Sequence, residues 1–300
     1  MRVSMPYRAP LNQAMLNDAF KMQSSIEGAD FWICGKTAPD GVDPARCILF
    51  QSEPPLTGSR RRLYKTFSQY HTVITFCPTG PNQFPFGSDP TVYPYSPGLK
   101  FDRVRKNTRI TGRGVYYAGR RNEKMAKVPD CYHSINLYGT RHAICRYLLD
   151  NYPQSYIFGQ GWPRISKAAG NRHWREQKQR DIDSCHADFV LCLENSMLEN
   201  YVSEKIHDGF SSDRVALYLG APNIHQHVPA GSFINLNRLF DRRTKVFDMR
   251  ALTKIMHTMP QRQYNAILRK GRAWRATLPG KFEAECARMT EFIIKRITGD

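Results

Sequence analysis

Residues 189–236 read FVLCLENSMLENYVSEKIHDGFSSDRVALYLGAPNIHQHVPAGSFINL, and their pattern decides the fold. Residues 189–193 are continuously apolar and stop at Glu194-Asn195-Ser196. An apolar run of that length, bounded by a polar turn, suits a strand buried on both faces, as in a parallel sheet. Ser203-Glu204-Lys205 then opens a helix, with Ser203 as its N-cap and Glu204 in its first turn. A second apolar run, residues 215–219, closes on Gly220-Ala221-Pro222. Strand, polar turn, helix and strand make a β-α-β unit.

Such a unit gathers polar groups at the carboxyl edge of its first strand, beside a helix N-terminus whose free N–H groups favour anions. Lys205 falls in that first turn, where a cation opposes the helix macrodipole. Spacing alone allows two readings: a surface lysine on an amphipathic helix, or a lysine that meets a phosphate.

Several short stretches here stand in register with a known family. Glu194-Asn195-Ser196, Tyr201-Val202-Ser203-Glu204-Lys205, Leu219-Gly220-Ala221, Val228-Pro229 and Ser232-Phe233-Ile234 resemble the donor-binding signature of the α1,3/4-fucosyltransferases, glycosyltransferase family 10. Three departures are visible. Leu193 stands where an aromatic is usual, Ser203 replaces a threonine, and Val215-Ala216-Leu217 lacks a proline before the second strand. None removes a polar group expected to touch the ligand. The resemblance covers residues 31–240 and is strongest from residue 189 onward. Gly139 to Leu149, with Arg141 near the helix start, and Gly159-Gln160-Gly161-Trp162 are similar to the family's arginine helix and the strand end after it. Residues 47–55, ending in Glu53-Pro54-Pro55, are similar to its acidic turn.

The rest of the chain is consistent with an α/β protein. Short apolar runs at residues 31–34, 47–50 and 72–76 read as buried strands, residues 114–119 as another, and residues 156–162 as a strand and turn. Helices are expected over residues 11–22, 139–150, 249–258, 261–274 and 281–297, and residues 77–99 as a long irregular loop. The division expected is an acceptor-binding α/β domain at 1–110, a Rossmann-like donor domain at 111–275 and a C-terminal helix at 276–300. Together with the resemblance this implies a GT-B-type fold: two Rossmann-like domains with the active site in the cleft between them.

With 300 residues, 41% hydrophobic and 12% aromatic, the chain is long and apolar enough for a globular core, which excludes a disordered protein. No run approaches the ~20 apolar residues of a transmembrane helix. Residues 1–20 hold no apolar segment of signal-peptide type. A cytoplasmic protein is therefore expected, with peripheral membrane association open to it. The formal charge of +18 calls for a polyanionic partner or surface, and basic residues crowd between Arg238 and Arg275. Nucleic acid, anionic lipid and anionic saccharide all satisfy that charge. No zinc-finger spacing, basic zipper or RNA-recognition signature accompanies it, so specific nucleic-acid binding is not expected. The eight cysteines show no C-x-x-C pair and read as reduced, buried thiols.

Inverting fucosyl transfer, as the resemblance implies it, needs a carboxylate to take the acceptor proton, cations on the departing diphosphate and a grip on guanosine. Glu53, with two prolines after it, is the candidate base; without the resemblance it reads as a solvated turn carboxylate. Arg141 and Lys205 are the candidate phosphate clamp, Arg for bidentate contact and Lys as a point charge. Glu204 is assigned to the ribose hydroxyls, and Asn195, Ser196 and Tyr201 to the nucleotide and sugar. Glu194 either binds fucose hydroxyls or caps the strand turn. His225-Gln226-His227 offers two imidazoles on one face of an extended chain, but no third ligand at metal spacing. Cys185-His186 lacks an orienting acid and makes a poor nucleophile pair. No metal and no cofactor are expected, with GDP-fucose as donor and a GlcNAc-containing glycan as acceptor. Three rivals stay open: another GDP-sugar on the same fold, an inactive carbohydrate-binding relative, and a basic α/β nucleic-acid-binding protein.

Overall fold

A computed structural model of the chain describes residues 1–5, 11–35, 37–51, 63–75, 78, 80–85, 108–131, 133–162 and 174–299. Glu53 and most of the loop at 77–99 lie outside the described residues. The chain divides into two units, Met1–Tyr93 with Cys131–Ser134 and Leu278–Asp300, and Pro94–Asp130 with Ile135–Thr277.

In the first unit, β1 (Arg2–Ser4), β2 (Lys21–Gln23), β3 (Phe31–Cys34), β4 (Cys47–Gln51), β5 (Thr72–Thr75) and β6 (Gln83–Pro85) form one sheet in the order β2-β1-β3-β4-β5-β6. All its pairings are parallel. The runs that read as buried strands are buried: every residue of β4 and β5 is. Two outcomes differ from expectation. Helix α1 is confined to Gln13–Ala19 because Phe20 turns extended and residues 21–23 pair with β1, whose single apolar side chain, Val3, carries too little pattern to announce a strand. Within the loop expected at 77–99, β6 adds an edge to β5.

In the second unit, β7 (Gly114–Ala118), β9 (Ser155–Phe158), β10 (Ala187–Leu193), β12 (Val215–Leu219) and β13 (Ile234–Asn235) form a second parallel sheet in the order β13-β12-β10-β7-β9. The register sets Phe189 beside Val215 and Leu193 beside Leu219. All seven residues of β10 are buried, as a doubly covered central strand requires. A small antiparallel pair, β8 (Ile135–Asn136) with β11 (Ser196–Met197), lies just past the end of β10. Helices α2 (Glu123–Ala126), α3 (Tyr138–Asn151), α4 (Trp174–Ser184), α5 (Glu204–Ser211) and α6 (Met249–Thr258) connect and cover this sheet. Fully buried Asp188 pins the entry to β7: its Oδ2 accepts from the amides of Thr111, Gly112 and Arg113 at 2.8–3.2 Å.

The two C-terminal helices expected at 261–274 and 281–297 are one helix, α7 (Gln261–Thr298), with Pro279 inside it. Proline in a helix interior costs about 3 kcal/mol through its missing N–H and its ring. Leu278, Met289, Ile293 and Ile297 around and beyond the proline, with Trp274 before it, are all buried. At roughly 1.5–3 kcal/mol for each such side chain, their burial outweighs the proline. Among the described residues no helix is long and apolar enough to cross a membrane.

Candidate functional site

The carboxyl ends of β7 and β10 and the N-termini of α3 and α5 bring most of the singled-out residues into one network. This is where an open parallel sheet gathers polar groups, because strands end there and helices start. Leu193 ends β10, and the next residue, Glu194, is fully buried. Its Oε1 accepts from the Ser203 amide at 2.8 Å and its Oε2 from the Ser203 hydroxyl at 2.6 Å. Lys205 Nζ lies 3.4 Å from the same carboxylate and 3.5 Å from Glu204. Glu194 therefore holds the start of α5, through the serine that caps it. Burial pushes the Glu194 carboxyl above its ordinary value of 4.5, opposed by Lys205 and by the Ser203 bonds. Gly220 makes this possible, since a Cβ there would overlap Glu194 Cγ and the Tyr218 hydroxyl.

The carboxylates explain how Lys205 is tolerated against the dipole of α5. Its ammonium is partly buried, with 15% of the side chain exposed, and also meets the Ser203 hydroxyl at 2.9 Å. It stands at a helix N-terminus with its charge balanced by two acids.

Arg141 is different. It lies in the first turn of α3 and is only 3% exposed. Its Nη2 and Nε donate to the Tyr117 hydroxyl at 2.7 and 3.2 Å, and its Nη1 donates to Asn195 Oδ1. The guanidinium also sits 4.8 Å from the centre of the Tyr138 ring. Among the described residues no carboxylate pairs with it. A guanidinium stays charged when buried, and a buried charge without a counter-charge is costly. Such a cation, fixed by neutral oxygens at the carboxyl ends of the strands, is chemically able to receive an anion.

Asn195 links the two halves. Its side chain receives Arg141 and approaches the Tyr201 hydroxyl at 3.5 Å, while its carbonyl accepts from the Leu137 amide before α3. Ser196 is fully buried and its hydroxyl donates to the Ile135 carbonyl. It braces the β8–β11 pair. Glu204 keeps its place in the first turn of α5, half-buried beside Lys205.

Tyr117 escaped the sequence reading because a tyrosine in an apolar strand looks like filler. The only signal lay in two glycines: Gly119 and Gly159 end neighbouring strands, and a Cβ at Gly159 would overlap the Gly119 carbonyl. A Cβ at Gly119 would in turn overlap the Tyr117 hydroxyl and crowd Arg141 Nη2, so that glycine leaves room for the pair. Of the histidines considered for a metal, His225 is exposed and His227 Nε2 is engaged with Asn200 Oδ1 at 3.1 Å. Among the described residues no three His, Cys, Asp or Glu side chains cluster as metal ligands. Cys185 is buried and its neighbour His186 exposed.

Residues 123–277 match the family model for the glycosyltransferase family 10 (fucosyltransferase) C-terminal domain. An α-(1,4)-fucosyltransferase of Arabidopsis thaliana is 39% identical over 66 residues, which are 21% of this chain and 16% of that protein. The matched stretch is thus a small part of that relative. A crystal structure of an α1,3-fucosyltransferase with GDP-fucose has TM-score 0.51 and 14% identity, covering 89% of this chain and 80% of that one. Another, with GDP, has TM-score 0.51 and 13% identity, covering 92% and 89%. The likeness to these structures is one of fold, and with two parallel α/β sheets it makes the fold GT-B type.

Proposed function

The chain belongs to glycosyltransferase family 10, the fucosyltransferases, and from that premise we propose that it moves L-fucose from GDP-fucose to O3 of a GlcNAc-containing glycan, with inversion. The observation that carries the reading is Arg141, a buried guanidinium without an acidic partner among the described residues, at the edge where Lys205 and the α5 N-terminus also converge. In this reading the acceptor hydroxyl attacks the anomeric carbon while Glu53 takes its proton, and GDP departs. Negative charge grows on the diphosphate as the glycosidic bond breaks, and Arg141 and Lys205 offset it there. Those two cations fill the part a divalent metal plays elsewhere, so transfer runs without one. Glu204 accepts from the ribose hydroxyls, and Asn195 and Tyr201 line the nucleotide and sugar. Ser196 and Glu194 serve the same site from behind, one bracing the turn after β10 and the other setting Ser203 and Lys205. Transfer to O4 is the second reading, favoured by the name of the Arabidopsis relative.

The exposed arginines Arg238, Arg242, Arg243 and Arg250 supply a basic surface on the same unit, and we assign it to peripheral contact with anionic membrane. The donor assignment is tested by a melting-temperature panel of GDP-sugars, UDP-sugars and free nucleotides in excess EDTA. A ligand that binds only the native state raises its apparent stability. GDP-fucose and GDP should raise it while UDP-sugars do not. A rise that needs added manganese or magnesium would refute the metal-free clamp.

A further inference from the structure

The segment at residues 238–250 of the second unit borders an open groove that the donor site leaves unused. Leu239, Val246, Phe247 and Met249 supply its apolar wall, and Arg238 and Arg250 line it as well, around a free volume of about 770 Å³. That volume lies within the size range of small-molecule sites. Val246 is 62% exposed, more than any other large hydrophobic side chain among the described residues. A lone exposed valine is ordinary, but this one continues into the groove. The loop that carries it is held in shape from within. Phe240 and Phe247 bridge its two arms, and the Asp241 amide donates to the Val246 carbonyl at 2.9 Å. Asp241 Oδ1 accepts from the amides of Arg243 and Thr244. A loop already in its shape loses little freedom on docking.

Arg238, Arg242, Arg243, Lys245 and Arg250 all belong to this segment and all are exposed. Three carboxylates accompany them, and each is engaged: Asp241 in the turn, Asp248 on the Ala251 amide as the cap of α6, and Asp130 on Lys245 at 2.8 Å. Five cations against three acids leave the segment net positive. Among the described residues no carboxylate pairs with Arg238, Arg242, Arg243 or Arg250. An anionic bilayer complements both features, its headgroups the arginines and its acyl boundary the apolar wall. Nucleic acid would answer the charge and leave that wall bare. Building on the assignment of these arginines to anionic membrane, we propose that residues 238–250 form a docking site for an anionic phospholipid, with its headgroup against Arg238 and Arg250 and with Val246 entering the acyl boundary. Arg242 and Arg243, which do not line the groove, add only longer-range attraction.

The test is co-sedimentation of the whole chain with vesicles of phosphatidylcholine alone and of phosphatidylcholine mixed with phosphatidylserine. It compares the parent, V246S, R238A/R250A and R242A/R243A, each with its melting temperature and GDP affinity. The parent should bind the mixed vesicles and ignore phosphatidylcholine alone. V246S changes no charge and should still weaken binding about tenfold, because an inserted side chain has lost its apolar burial. R238A/R250A should weaken it about 25-fold, at about fivefold for each headgroup contact. R242A/R243A should cost less, and that loss should vanish in high salt. Melting temperature and GDP affinity should stay parental, since these side chains are exposed and outside the donor site. Parental vesicle binding in V246S would overturn the proposal and leave diffuse attraction, with the membrane reading intact. Equal losses in the two arginine pairs would overturn it in the same way. A parent that ignores mixed vesicles would mark failure of the membrane reading itself, and of the proposal with it. Tighter binding to single-stranded RNA than to vesicles, unchanged by V246S, would overturn it in favour of nucleic acid. If R238A/R250A melts early, V246S decides: the tenfold loss supports the proposal and parental binding overturns it.

Discussion

Among the described residues, the central strands of the first unit's parallel sheet end on neutral side chains: Cys34 ends β3, Gln51 ends β4, and Thr75 ends β5 with its hydroxyl 3.2 Å from that of Tyr64. The second unit's sheet runs out into charge, with Glu194 and Asn195 after β10 and Arg141 and Lys205 on the helices that start beside them. Both sheets are parallel, and both are buried on their central strands. Parallel architecture by itself therefore does not place the chemistry. The difference lies in the company at the strand ends, where two helix N-termini in the second unit each hold a cation. In the first unit the candidate base, Glu53, comes two positions after β4 in sequence. The proposed function divides the labour between the units, assigning proton removal to the first and the leaving nucleotide to the second.

The sharpest way to break that division is E53Q. It should lower turnover by roughly 10²–10⁴-fold, the usual weight of general-base catalysis, while GDP affinity and melting temperature stay parental. Loss of nucleotide binding in E53Q would dissolve the division, and parental turnover would move the base elsewhere.

Next come the cations of the second unit. R141A and K205A should each cost about 2–4 kcal/mol of transition-state stabilisation, read from kcat/KM with GDP-fucose. Both should also lower stability. Arg141 satisfies the Tyr117 hydroxyl and Asn195 Oδ1, so R141A strands one buried and one half-buried polar group, at about 1–3 kcal/mol in a denaturant titration. K205A takes away the ammonium 3.4 Å from the fully buried Glu194 carboxyl and should cost about 1–3 kcal/mol in the same titration. An R141A protein as stable as the parent would mean that the guanidinium braces nothing and serves only the ligand.

The smallest effect concerns Glu194. Its folded carboxyl is raised above the ordinary 4.5 by burial. A raised folded value means the native state holds the proton more tightly than the unfolded chain. The stability linked to this group is thus fully present below pH 4.5 and is lost as pH rises through the folded value. Urea titrations from about pH 4 to about 7 should show that decline in the parent and a flatter profile in E194Q. An unchanged slope in E194Q would assign the decline to another group.

Much of the second unit was legible because its signals are local. Residues 189–193 and 215–219 are apolar runs that only a doubly covered strand can bury, and Ser203 before Glu204 and Lys205 announces a helix start within three positions. The same stretch carried the family motifs. Legibility failed where the deciding partner is distant or the local signal is weak. Val3 alone could not announce β1, and Pro279 argued for a break that burial of Leu278, Met289 and Ile293 overrode. Glu194 was left between two roles because only the fold brings both of its oxygens to Ser203, nine positions on.

By itself the sequence determined the α/β class, the order of strands and helices around residues 189–236, and the family, since periodicity, caps and short motifs act over a few residues. The tertiary structure alone decided that Arg141 meets Tyr117 and Asn195, 24 and 54 positions away, and that Lys178 answers Asp208, 30 positions on. Those pairings arise from the parallel order β12-β10-β7-β9, in which crossovers carry remote segments to one carboxyl edge. A charge pair or a buried guanidinium is a property of that edge, and no window of sequence contains it.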